Sequence, residues 1–324
     1  MLCIIFFMKL FIKKVLYLII MLFIISLISF IAINLAPNSF FASGELNPNI
    51  TQESIDHLKA IYGLDKPLYV QYFSWIWAML HLDFGISFAS GQMVKTEILN
   101  RIPITLTINS ISMVLVFVLS LYLGIKSALH KNKWFDKFAS QLSLLSFSMP
   151  SFYLALLLVL IFSIQLEWLP IAGLHSVSNA TGVEYYLDVA WHLILPIGII
   201  TFGGIGSLTL YIRSLTIEIL KSDYIFFAKA RGLSQKQILR YYILPNLYPP
   251  VITLLGLSLP GIIGGSVILE SIFSIDGMGL LFYQSALSHD YPVIMGILII
   301  GAFLTLLGNM LADLVLLKLN PNMS

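Results

Sequence analysis

Six long apolar runs alternate with polar loops along the chain, from about Val15 to Ala36, Ile104 to Ile125, Ala139 to Leu166, Val189 to Ile212, Leu247 to Leu269 and Tyr291 to Leu317. Each matches the roughly 20 mostly apolar residues that cross the hydrocarbon core of a bilayer. Backbone amides in lipid must be satisfied within their own segment or in a closed barrel. Continuous apolar runs, unlike alternating short strands, point to helices. The pattern predicts an all-α membrane protein with six transmembrane helices in one membrane domain.

The longest polar stretch, Pro37 to Arg101, carries helix punctuation of its own. Thr51 is placed to cap a helix through QESIDHLKAIY, Gly63 to stop it and Pro67 to start the next. PLYVQYFSWIWAML then sets Tyr69, Tyr72, Phe73 and Trp77 near one helical face, which suits either a membrane boundary or packing on the protein. A folded outer loop is expected after the first span.

Composition agrees with the pattern. Hydrophobic residues make up 58% of the chain and charged residues 10%, against about 25% charged in a soluble domain. The first run is longer than the roughly 7–15 apolar residues of a signal peptide, and no small-residue cleavage site follows it. It reads as a retained span, with Met8 as a second candidate start after MLCIIFF. The single cysteine, Cys3, allows no internal disulfide and no thiolate metal cage.

Charge placement orients the spans, because short loops rich in Lys and Arg stay in the cytoplasm. With both termini inside, 14 of the 18 basic residues fall in cytoplasmic segments, and the remaining ones, Lys59, Lys66, Lys95 and Arg101, sit in the first outer loop. The expected division is a cytoplasmic N-terminus over 1–14, a first span over 15–36, an outer loop over 37–103 and a core over 104–324. That core includes a cytoplasmic loop at 214–246. The net charge of +2 thus reflects topology, and no nucleic-acid partner is expected. Pro150, Pro196, Pro249, Pro250 and Pro260, with GGIG at 203–206 and PGIIGG at 260–265, concentrate in the later spans. Such residues serve close packing or mark helices that move or line a path.

The most distinctive loop is SDYIFFAKARGLSQKQILRYYILP, residues 222–245. Ser222 or Asp223 is an N-cap candidate, and Tyr224, Phe227 and Ala228 recur at helical spacing before Gly232. Ser234 and Gln237 form a capping-box pattern for a second short helix, with Ile238, Leu239 and Tyr242 on one side and Pro245 at its end. The apolar face of this helix pair either meets a partner or folds back on its own bundle.

A glycine, nine residues and then a hydrophobic-x-Leu-Pro ending resembles the cytoplasmic EAA loop of ATP-binding-cassette importer permeases. The matching positions are Gly232, then Tyr242, Ile243, Leu244 and Pro245, with Ala228 at the second alanine and Phe226 and Phe227 where Glu-Ala is usual. Other segments extend the resemblance over nearly the whole chain: YGLDKPLYVQYFSWIWAMLHLDFGISF, ILNRIPITLTI, SMPSFYLALLL, WLPIAGLHS, ILESIFSIDGMGLL and DYPVIMGILII. Together they are similar to the first permease subunit of the dipeptide, oligopeptide and nickel importer family. APNSF after the first span, Asp276 in place of proline and His289 in place of arginine depart from the usual pattern.

The resemblance implies a type I importer permease fold in a bacterial inner membrane. It also implies a second homologous permease subunit, two ABC ATPase subunits and an extracytoplasmic substrate-binding protein. The ATPase-coupling residues it implies are Asp223, Tyr224, Phe227, Ala228, Ala230, Arg231, Gly232, Leu233, Leu239, Leu244 and Pro245. Dipeptides or short oligopeptides are the expected cargo, with nickel or a nickel chelate as the alternative.

The chain has no Gly-x-x-x-x-Gly-Lys-Ser/Thr phosphate loop, no His-Glu-x-x-His and no Gly-x-Ser-x-Gly elbow. A non-catalytic subunit without cofactor or metal is expected, powered by ATP bound to other chains. Charged groups inside spans are costly and therefore informative. His192, Glu270 and Asp313 fall near span ends, where such groups are cheap, and His192 reads as a hydrogen-bonded packing residue. Asp290 reads as the cap of the last span. Arg213 and Asp313 are expected to pair between the fourth and sixth spans. Buried ion-binding groups of the kind that ion-coupled carriers need do not recur, so a carrier of that class and a passive membrane scaffold are the less favoured alternatives.

Overall fold

Apolar runs become helices here because the side chains they expose are aliphatic and aromatic on every side. The structure, a computed structural model, describes residues 2–35, 66–176, 181–262 and 266–319, the side chains of 2–11, 32–34, 260 and 311–319 excepted. The helix expected between Thr51 and Gly63 lies outside the described residues. The helices are α1 (Leu2–Leu35), α2 (Leu68–Leu80), α3 (Val94–Leu129), α4 (Trp134–Ser148), α5 (Ser151–Leu158, continued by a π-helical turn Val159–Gln165), α6 (Val183–Leu220), α7 (Asp223–Ala230), α8 (Gln235–Ile238), α9 (Leu244–Ser258), α10 (Val267–Ile272), α11 (Met278–Leu287) and α12 (Tyr291–Leu319).

Among the described residues, four helices are long and apolar enough to cross a membrane by themselves, and a bent pair brings the number to five. Two of the six expected spans are interrupted. The third turns through 103° between α4 and α5. Met149 precedes Pro150 and is driven to an extended ψ of 124°, which ends α4. The fifth stops at Ser258, continues as a 3-10 turn Leu259–Ile262 and resumes as α10. PGIIGG supplies the reason, since proline removes an amide donor and the glycines favour helix least.

The chain forms two compact units, Met1–Pro103 with Gly277–Leu307, and Ile104–Asp276 with Gly308–Ser324. In the first, Tyr72 alone of the expected aromatic face of α2 is buried; Tyr69, Phe73 and Trp77 are exposed. The Tyr72 hydroxyl meets Ser26 Oγ of α1 at 2.8 Å, and its ring packs edge-on against Phe30. The turn after Phe84 is held by Asp290. Its carboxylate accepts from Ser87 Oγ at 2.5 Å, Phe88 N at 3.2 Å and Ala89 N at 3.1 Å. Asp290 thus spends its side chain on this turn rather than on capping α12. Below it Phe84, Val94, Ile98, Met278, Leu281, Val293 and Ile297 form one core.

The second unit has two cores. One gathers Ile108, Leu154, Ala155, Leu193, Ile199, Leu269 and Phe273 from α3, α5, α6 and the α10 region. The other gathers Phe117, Ile212, Ile225, Ala228, Ile238, Ile243, Leu247 and Val251. Close packing explains part of GGIG. A Cβ at Gly204 would lie 2.6 Å from Val116 Cγ2, and one at Gly206 would lie 2.6 Å from the Ser143 carbonyl oxygen.

Candidate functional site

α6 does not stop in the manner its sequence suggests. Ser222 stands before α7, but its hydroxyl donates to the Ile219 carbonyl at 2.5 Å and closes the end of α6 instead of capping α7. The two helices are therefore joined by Lys221 and Ser222 alone. α7 ends in a Schellman motif: Leu233 N donates to the Ala228 carbonyl at 3.2 Å and Gly232 N to the Lys229 carbonyl at 2.9 Å. Gly232 takes φ of +79°, a conformation that other residues reach only at a cost.

The expected capping box of α8 is present. Ser234 Oγ accepts from Gln237 N at 3.4 Å, and Gln237 Oε1 accepts from Ser234 N at 2.8 Å. Pro245 does not end this helix. α8 passes into a π-helical turn, Leu239–Ile243, and then directly into α9, with Leu244 N donating to the Leu239 carbonyl. Pro245 is the second residue of α9, directly after the π-helical turn, where its lack of an N–H interrupts the helical ladder.

The question of fold-back or partner face resolves into two faces. Ile225, Ala228, Ile238 and Ile243 are buried, and Leu233, Leu239 and Tyr242 pack against the same core. Phe226, Phe227 and Tyr241 are 60–69% exposed. Asp223, Tyr224, Ala230, Arg231, Gly232 and Pro245 are exposed beside them, while Leu244 is half-buried. The expected coupling residues therefore divide, with Ala228, Leu233 and Leu239 fixing the hairpin and Asp223, Tyr224, Phe227, Ala230 and Arg231 facing outward. The Tyr224 ring lies nearly parallel to Tyr242, at 14° and 6.3 Å, and braces α7 on the turn after α8. Sequence reading missed Tyr241, whose ring carries the Arg240 guanidinium at 5.8 Å; the unbroken α-helical period assumed there hid it.

Behind the hairpin, Arg213 of α6 is paired with Asp136 of α4. Nε lies 2.5 Å from Oδ1 and the second guanidinium nitrogen 2.8 Å from Oδ2. Ser127 Oγ of α3 and Asn132 N of the intervening turn also donate to this carboxylate. Asp136 is 3% exposed, and all its lone pairs have donors of good geometry. The expected partner, Asp313, is outside the residues whose side chains are described. The signal for Asp136 lay in KNKWFDKF, where one acid sits among lysines otherwise read only for their charge.

Glu270 lies in the interior of its unit. It is 4% exposed and accepts from Thr105 Oγ1 at 3.2 Å. Nearby, Asn109 Nδ2 donates to the Ile262 carbonyl at 2.8 Å, at the last described residue before the break in the span. His192 is buried and hydrogen-bonded, its Nδ1 lying 2.8 Å from the Asp188 carbonyl oxygen.

The hairpin thus packs its inner face on the core it shares with α3, α6 and α9, runs into α9 without a break and joins α6 through two residues. Residues 117–324 match the family described as binding-protein-dependent transport system inner membrane component, and residues 7–109 match its N-terminal counterpart. The chain belongs to this family. Among curated relatives, the permease is 34% identical over 298 residues to the oligopeptide transport system permease protein AppB of Bacillus subtilis, covering 92% of this chain and 93% of that protein. It is 35% identical to OppB of Haemophilus influenzae, across 93% and 94% of the two chains. It is 33% identical to the dipeptide permease DppB of Lactococcus lactis, across 97% and 98%. Among solved structures, a chain of the methionine ABC transporter MetNI in inward-facing conformations superposes with a TM-score of 0.54 at 18% identity, covering 68% of the permease and 94% of that chain. This likeness bears on the fold alone. The permease is thus a multi-pass, helical transport subunit of the inner membrane.

Proposed function

We propose that the permease conducts dipeptides or short oligopeptides inward across a bacterial cytoplasmic membrane, driven by ATP that partner chains hydrolyse. The cargo reading rests on relatives named for dipeptide and oligopeptide transport that align along more than nine-tenths of the chain. The nickel alternative has no comparable support. In this reading both termini and the 222–245 hairpin lie in the cytoplasm, a second permease subunit completes the path, two ATPases dock on the hairpins, and a binding protein delivers cargo from outside.

The single observation that carries the mechanism is the double-faced hairpin. Its inner face is cemented to α6 and α9, while Tyr224, Phe226, Phe227 and Tyr241 present exposed ring area to a partner. ATPase closure would press on that outer face, and the buried face would pass the displacement to both spans. Removing residues 223–244 from the assembled transporter should abolish ATP-driven peptide uptake while ATP hydrolysis by the ATPases persists. Uptake that survives the deletion, or that continues with inactive ATPases, would refute the reading, the latter in favour of an ion-coupled carrier.

A further inference from the structure

α4 opens with an aromatic ridge that its own unit leaves uncovered. Trp134 is 76% exposed and Phe138, one helical turn further on, is 45% exposed. Their rings stack on each other, 5.5 Å apart and inclined by 11°. Lys131, Lys133 and Lys137 flank the ridge, all exposed and without an ion-pair partner among the described residues. Asp136, the single acid of KNKWFDKF, is buried and bound to Arg213, Ser127 and the Asn132 amide. Two rings and three uncompensated positive charges therefore share one surface.

The ridge stands on a turn of fixed shape. Asn132 holds φ of +65° while its N–H donates to Asp136 Oδ2 at 2.8 Å, and Lys133 N donates to the His130 carbonyl at 2.9 Å. A lipid surface is fluid and selects for no such order, whereas a folded partner gains affinity from a site arranged in advance. The turn also lies at the end of its unit that carries the hairpin. Leu129, just before it, packs on the core that holds Ile225 and Ile238, and the Asp136–Arg213 pair ties α4 to the last two turns of α6.

We infer that the 131–138 ridge is a second contact for an ATPase subunit, separate from the hairpin, with Trp134 and Phe138 in an apolar recess of that subunit and the three lysines against its acidic side chains. The inference rests on the reading of this chain as an ATP-driven permease. Tryptophan is among the residues that dominate protein interfaces, and rim lysines add a salt-sensitive attraction. A partner gripping both surfaces would hold α6 at two points, through the hairpin at its end and through Asp136 at Arg213.

The test uses the complete transporter, the permease together with its partner chains, in its membrane. A photo-crosslinking benzoylphenylalanine in place of Trp134 should join the permease to an ATPase subunit, and the same group in place of Phe227 probes the hairpin independently. Adducts from position 134 to lipid or to the second permease subunit, or to nothing, would overturn the second contact whatever position 227 shows. Failure of position 227 as well to reach an ATPase would count against the underlying reading too. Trp134→Ala, an exposed site whose truncation leaves folding intact, should weaken ATPase association about fivefold or more. Lys133→Glu should weaken it at low ionic strength and much less in about 0.5 M salt, where surface charges are screened. Unchanged association in Trp134→Ala would overturn the inference.

Discussion

The two ends of the unit built on α3 and α6 solve opposite problems. At one end, Ser127, Asn132, Asp136 and Arg213 meet in a dense polar junction, and the chain leaves α6 for the hairpin with almost no slack. At the other, 22 residues back along α3 and about 33 Å away by helical rise, Thr105 and Asn109 reach across to Glu270 and to the Ile262 carbonyl, on either side of an interrupted span. The first end is over-determined and suits the transfer of a push. The second sets Thr105 on Glu270 and Asn109 on Ile262 beside a break in the helix, and suits a change of shape.

Substitutions at the two ends should therefore differ in size and in kind. The largest effect belongs to Asp136→Ala, which strands Arg213 and should destabilise the detergent-solubilised permease by about 3–5 kcal/mol in denaturant unfolding. Adding Arg213→Ala should recover much of that loss, because a stranded charge costs more than a missing pair. Gly232→Ala comes next, with about 1–2 kcal/mol for forcing a side chain into the left-handed region, and ATP-driven uptake should fall with it. Asn109→Ala should cost about 1–2 kcal/mol through the exposed Ile262 carbonyl. Here the sharper readout is conformational: hydrogen exchange should accelerate around 258–266 and leave the hairpin untouched. The smallest change in stability, within about 0.5 kcal/mol, is expected of Phe227→Ala, yet uptake and ATPase association should both drop. A Phe227→Ala permease that transports normally would remove the outward aromatic face from the mechanism.

Much of this arrangement was legible before any coordinates. Hydrophobic run length located the helices, and the Gly232 stop and the Ser234–Gln237 box described the hairpin's turn correctly, because caps are local chemistry. The side-chain commitments of Ser222 and Asp290 were not legible, since both residues stand at cap positions and spend their oxygens elsewhere. Asp136 escaped notice for a related reason: an acid flanked by lysines reads as solvated charge until tertiary packing brings Arg213 to it. The breaks at Met149–Pro150 and at Leu259–Ile262 were signalled by proline and glycine, but apolar content alone could not separate a continuous span from a broken one. Ala228, Leu233 and Leu239 could be assigned to the hairpin but not to its inner face, because that face is defined by α3, α6 and α9.

The π-helical turn at 239–243 has a consequence for how the sequence can vary. Ile238 and Ile243 are both buried although five residues apart, a spacing that would set them about 140° apart on a regular α-helix. The segment thus contains one residue in excess of an α-helical count. Losing a single residue there would leave Ile238 and Ile243 four apart, about 40° on a regular α-helix, so both would stay on the buried face. The joint is therefore a place where the chain length can change by one residue without turning the buried face away from its core, whereas Ile238 and Ile243 themselves must stay apolar.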